Sequence, residues 1–136
     1  MNQSKHIVSA FDQDLRGISA KIAEMGGLAE EQLGSAIEAL RNRDAELANE
    51  VIASDKRLDD MEMALEQSAI EIMALRQPMA SDLRDVVAAL KVSSTLERIG
   101  DLAKNVAKRT LILNQSDIAI ATNVRDVVVP RDGRSV

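Results

Sequence analysis

The chain has no cysteine, no tryptophan, no tyrosine and a single phenylalanine, Phe11. Without cysteine there is no disulfide framework and no thiolate metal site, which fits a reducing compartment. Without aromatics, a chain that is 46% hydrophobic must build its core from Leu, Ile, Val, Ala and six Met. That mix favours helix over sheet. The one histidine, His6, lies ahead of the first apolar stripe. No Ser/His/Asp set, Cys nucleophile, Gly-rich phosphate loop or helical Glu-x-x-His pair is present, so we expect a protein that is not an enzyme. No run approaches the about 18–20 apolar residues that span a bilayer, which argues against direct membrane insertion. The N-terminus lacks the apolar stretch of a signal peptide, and the expected location is cytoplasmic. The formal net charge is −5. With no basic patch studded by aromatics, nucleic acid is not expected as a partner. The basic group Lys104, Lys108 and Arg109 suits a helix C-terminus, where cations favour the macrodipole.

What the chain does have is helical period. Leu15, Ile18, Ile22, Met25, Ala29, Leu33, Ala36 and Leu40 recur at helical spacing, a first helix of about thirty residues. Gly26-Gly27 interrupts it, and small residues there suggest close approach of a neighbouring helix. Asn42-Arg43-Asp44 reads as a turn with Asp44 as N-cap. Leu47, Val51, Leu58, Met61, Leu65, Ile72 and Leu75 mark a second helix, which Arg76-Gln77-Pro78 ends because the residue before proline leaves the α region. A third helix opens near Ala80 or Ser81, with Ser81 the better cap. Its core face runs from Leu83 to Val106. Short connections make sequential helices antiparallel. The expected fold is all-α, an elongated up-down antiparallel three-helix bundle. It occupies residues 11–115, after an N-terminal extension over 1–10. From Asn114 the period breaks, and residues 116–136 read as a non-helical, irregular or disordered C-terminal tail.

Charge is distributed unevenly over these helices. Glu97 and Asp101 stand one turn apart, and like charges so placed repel by about 0.2–0.5 kcal/mol on a solvated helix. Asp101 has Arg98 and Lys104 nearby, but Glu97 has no cation at 93, 94, 100 or 101. On the second helix Asp55, Asp59, Glu62 and Glu66 line up, and neither glutamate has a basic residue three or four positions away. Packed antiparallel, the two stripes converge. Oxygen-only clusters of this kind suit hard cations such as magnesium or manganese, and also iron.

Four stretches in order resemble the PhoU family: Met25-Gly26-Gly27, Asp55-Lys56, Arg76-Gln77-Pro78 with Ala80-Ser81-Asp82-Leu83-Arg84, and Leu96-Glu97-Arg98-Ile99-Gly100-Asp101. The similarity runs from about Phe11 to Gln115 and covers one of the two tandem three-helix repeats of that family. The resemblance implies metal binding through Glu/Asp-x-x-x-Asp motifs, which Glu97 and Asp101 match. Asp55, Asp59 and Glu62 join them on the spacing argument. Iron, manganese, zinc or magnesium are the ions to expect. The resemblance also implies a non-enzymatic regulator of phosphate uptake, which links the phosphate ABC transporter to a membrane sensor kinase and restrains the phosphate-starvation response. Apolar surface that a second repeat would cover leads us to expect self-association, as a dimer or other homo-oligomer. The alternative is a metal-free helical scaffold that docks partner proteins or itself.

Overall fold

The computed structural model describes the backbone of residues 2–128 and the side chains of residues 10–116. Helix α1 spans Asn2–Asn42, α2 spans Ala45–Arg76 and α3 spans Ala80–Val128. Each helix touches both others, and no strand occurs among the described residues. This is the expected three-helix bundle. None of its helices is long and apolar enough to cross a membrane among the described residues.

The chain reverses where its local chemistry says it should. Asp44 caps α2, its carboxylate accepting from the Leu47 amide at 3.0 Å. Arg43, just before it, adopts a left-handed φ of 55°. At the other end Gln77 takes a φ of 45° and donates its amide to the Met73 carbonyl, and Pro78 prevents α2 from continuing. Helix α3 opens at Ala80 with the Leu83 amide on the Met79 carbonyl at 2.8 Å, so Ser81 lies inside the helix and is not its cap. Asn114 Nδ2 donates to the Arg43 carbonyl at 3.0 Å, tying α3 to the first turn. Arg76 Nε meets Asp14 Oδ2, also at 3.0 Å, tying the end of α2 to α1.

Two helix ends differ from the sequence pattern. α1 starts at Asn2, so helix runs through most of the segment read as an N-terminal extension. α3 continues to Val128, replacing the expected irregular segment over 116–128; residues 129–136 lie outside the described residues. No proline or glycine occurs between Gly100 and Pro130, and adding a residue to an existing helix is far easier than starting one. Loss of the apolar period at Asn114 therefore does not end the helix.

The core divides into three layers. Phe11, Ile18, Leu65, Ala69, Ile72 and Val86 fill one end. Ala36, Ala39, Ala48, Val51, Ala103 and Ala107 fill the other, a layer whose buried residues are mostly alanine, with Leu33, Leu47, Ile52, Val106 and Leu111 packed against them. Between them Met25, Ala29 and Leu58 pack with Met61, Leu96 and Ile99. Gly26 and Gly27 do not serve close approach, since a Cβ on either would meet nothing within 4 Å. Gly100 does: a Cβ there would stand 2.5 Å from Leu58 Cδ2.

Candidate metal centre

The close approach at Gly100 brings α3 against α2 at the boundary between the middle and alanine layers, and the acidic residues meet there. One carboxylate oxygen from each of Asp55, Asp59 and Asp101 lies within 4.8 Å of the others. Asp55 and Asp59 come from α2 and Asp101 from α3. Glu97 joins them, its carboxyl within hydrogen-bonding reach of both Asp101 and Asp59. Glu62 flanks the group beside Glu66, Asp59 and Asp101. Of the five residues singled out from the sequence, Asp55, Asp59 and Asp101 come together, and Glu97 and Glu62 lie close enough for their carboxyls to feel the group. Two Asp/Glu-x-x-x-Asp pairs, Asp55/Asp59 and Glu97/Asp101, face each other across the helices.

Burial sharpens the electrostatics. Asp55 is only 2% exposed, and burial pushes its carboxyl up, as does the charge of Asp59. Lys104 opposes this, its ammonium 3.5 Å from Asp55 Oδ2. Lys104 therefore serves α2, although its spacing in the sequence pointed to Asp101. Burial first, then the charge of Glu66, raises Glu62. Glu97 is pushed up to about 7, by burial first and then by hydrogen bonds shared with Asp101 and Asp59. Even so, Asp55 Oδ1 and Asp59 Oδ1 are buried with no hydrogen-bond partner. Orphaned oxygens on carboxylates are an energetic fault unless a cation or donor reaches them.

The residues fit a hard cation. The donors are all oxygen, the charge is in excess, and buried lone pairs point at no donor. Asp55, Asp59 and Asp101 would hold such an ion, with Glu97 and Glu62 within reach. Sequence reasoning missed Gln32 of α1, which is 4% exposed and whose Oε1 is likewise buried without a partner. Its signal was available: a polar residue in line with Met25, Ala29 and Ala36 on an otherwise apolar stripe.

The raised Glu97 has a consequence for stability. Between its ordinary value of 4.5 and about 7, the folded state keeps a proton that the unfolded chain has released. Stability from this group is complete below the lower value and lost as pH rises through the upper one. In chelator, the urea midpoint should be higher near about pH 5.5 than near about pH 8, and Glu97→Gln should flatten the difference. A midpoint that instead rises over this interval, unaffected by Glu97→Gln, would contradict the placement of Glu97 among carboxylates.

The PhoU domain family model matches residues 22–110, a stretch that contains Gln32, both acidic pairs and Lys104. The chain is 47% identical over 114 residues to the phosphate-specific transport system accessory protein PhoU homolog of Caulobacter vibrioides, covering 84% of this chain and 50% of that protein. It is 52% identical over 108 residues to the homolog of Zymomonas mobilis, covering 79% and 46% respectively. The crystal structure of PhoU from Pseudomonas aeruginosa aligns with a TM-score of 0.75 at 38% identity, over 78% of this chain and 51% of that one. The chain spans about half the length of these relatives. A family match over the whole of the acidic site, carried by the same three helices, means that this chain belongs to the PhoU family.

Proposed function

We propose that this chain is a non-enzymatic, cytoplasmic regulator of phosphate uptake that works through a cation held by Asp55, Asp59 and Asp101, with Glu97 and Glu62 beside them. The observation that carries the reading is the convergence of three carboxylates within 4.8 Å from two facing helices. The regulatory part is supported by relatives named as accessory proteins of the phosphate-specific transport system. On this reading the bundle is an adaptor between the phosphate ABC transporter and a membrane sensor kinase, and it restrains the phosphate-starvation response. Bound at this face, a cation supplies positive charge where phosphate or an acidic partner would otherwise meet only carboxylates. Self-association is part of the proposal, supported by exposed Met63, Ile70, Leu75 and Met79; large apolar patches seldom stay uncovered.

Metal content measured by elemental mass spectrometry, on protein purified without chelators or a metal-affinity tag, tests the reading. Stoichiometric iron, manganese, zinc or magnesium is expected in the wild type and should be lost in Glu97→Ala/Asp101→Ala, with helicity unchanged by circular dichroism. No metal in either, even after incubation with excess ions, sinks the cation site. The second reading, a metal-free docking scaffold, would then stand. The Lys104–Asp55 pair favours it, because that ammonium already gives the most buried carboxylate a cation.

A further inference from the structure

Gln32 lies on α1, while every carboxylate of the cluster lies on α2 or α3. Its Nε2 donates to the Ser54 carbonyl at 2.9 Å, immediately before Asp55 in the chain. That bond sets which end of the amide points where, and it leaves Oε1 buried and unpartnered. The side chain of Asp55 ends in the same way, with Oδ1 buried and unpartnered. Both oxygens crowd one spot, the place a side chain on residue 100 would occupy: Asp55 Oδ1 is 3.3 Å and Gln32 Oε1 3.4 Å from it. Leu58 Cδ2 stands 2.5 Å from the same spot, so the two oxygens meet at the edge of the leucine side chain.

Two buried acceptors near one spot, neither with a hydrogen-bond partner, call for a positive ligand. A neutral carbonyl is also the donor this cluster needs. Hard cations take six or more oxygens, and amide carbonyls serve beside carboxylates. In the ion-free protein a further carboxylate would add repulsion to a group already in excess of negative charge, whereas an amide adds a ligand and no charge; with the ion bound, an oxygen of either kind can serve. We propose that Gln32 Oε1 is a ligand of the cation site, acting with Asp55 Oδ1 over Gly100, so that binding a hard divalent ion fastens α1 to α2 and α3. This rests on the cation-binding reading above and extends it to the third helix.

The test titrates Mn²⁺ into the chelator-stripped full chain and follows free Mn²⁺ by electron paramagnetic resonance. Wild type is compared with Gln32→Met, Gln32→Glu and Glu97→Ala/Asp101→Ala, each checked for helicity. Methionine matches the length of glutamine and lacks its oxygen. Gln32→Met should weaken Mn²⁺ by about tenfold or more, while Gln32→Glu, which keeps an oxygen, should bind at least as tightly as wild type. Gln32→Met within about twofold of wild type overturns the assignment and leaves the carboxylate site standing. Absence of binding to wild type removes the cation reading itself, and this inference with it. Should Gln32→Met fail to fold, the wild type carrying ¹³C-labelled glutamine decides. The Gln32 side-chain carbonyl resonance, identified by its loss in Gln32→Glu, should shift on adding Mg²⁺ more than those of the other glutamines; an unmoved resonance overturns the proposal.

Discussion

Gly100→Val is expected to destabilise the bundle by about 3 kcal/mol and to close the acidic cluster to cations. The valine Cβ would arrive 2.5 Å from Leu58 Cδ2. Leu58 is fully buried between Met25 and Ala29, so it has nowhere to swing without displacing α1. Two methyls branch from that carbon, which would itself lie 3.3 Å from Asp55 Oδ1 and 3.4 Å from Gln32 Oε1. Valine is the better helix former by only a few tenths of a kcal/mol, about a tenth of the packing loss. Urea unfolding followed by circular dichroism measures the loss, and Mn²⁺ titration measures the closure. Unchanged stability would mean that α3 can retreat from α2 at this level. Unchanged Mn²⁺ affinity would place the ion away from Gly100.

Lys104→Met should lower stability in chelator by about 2 kcal/mol and tighten Mn²⁺ binding severalfold. The carboxylate of Asp55 is 3% exposed and Lys104 is the cation found against it. Removing one partner of a buried pair costs about 3–5 kcal/mol. The lower figure expected here reflects a lysine side chain one-third exposed, 34%, and a carboxyl already pushed toward its protonated form by burial. With the ammonium gone, an incoming divalent ion meets no like charge at Asp55. The stability gap from wild type should therefore narrow as Mn²⁺ is added, because a ligand that binds only the folded state stabilises it. If the gap stayed constant at saturating Mn²⁺, Lys104 and the cation would not share a site.

The fold was largely open to reading from sequence, because its determinants are local. Asp44 caps, Pro78 stops, and the apolar period assigns faces without knowledge of any neighbour. The acidic residues were legible for a related reason: Asp55/Asp59 and Glu97/Asp101 each repel within their own helix, and Glu62, Glu66 and Glu97 have no basic residue three or four positions away. What sequence could not supply was the rotation of one helix against another. That rotation decides that Lys104 reaches Asp55 across the bundle, although Asp101 is nearer in sequence. It also gives Gly100 its role at a close approach and denies that role to Gly26 and Gly27. Gln32 escaped notice because charge drew attention to the site, and its contribution is neutral. The helix ends at Asn2 and Val128 lie beyond the apolar stripe read from the sequence, where period carries no information and propagation favours continued helix.

The alanine layer has a bearing on ion selectivity. Ala36 stands one turn beyond Gln32, Val51 one turn before Asp55, and Ala103 two residues past Asp101. Their small side chains hold the three helix axes close beside the acidic cluster. On the proposed cation reading, the spacing of the oxygens, and so the ionic radius they would accommodate, depends on residues that are not themselves ligands. On that reading, divergence among relatives at Ala36, Val51 or Ala103 would retune which metal is preferred while every proposed ligand stayed the same.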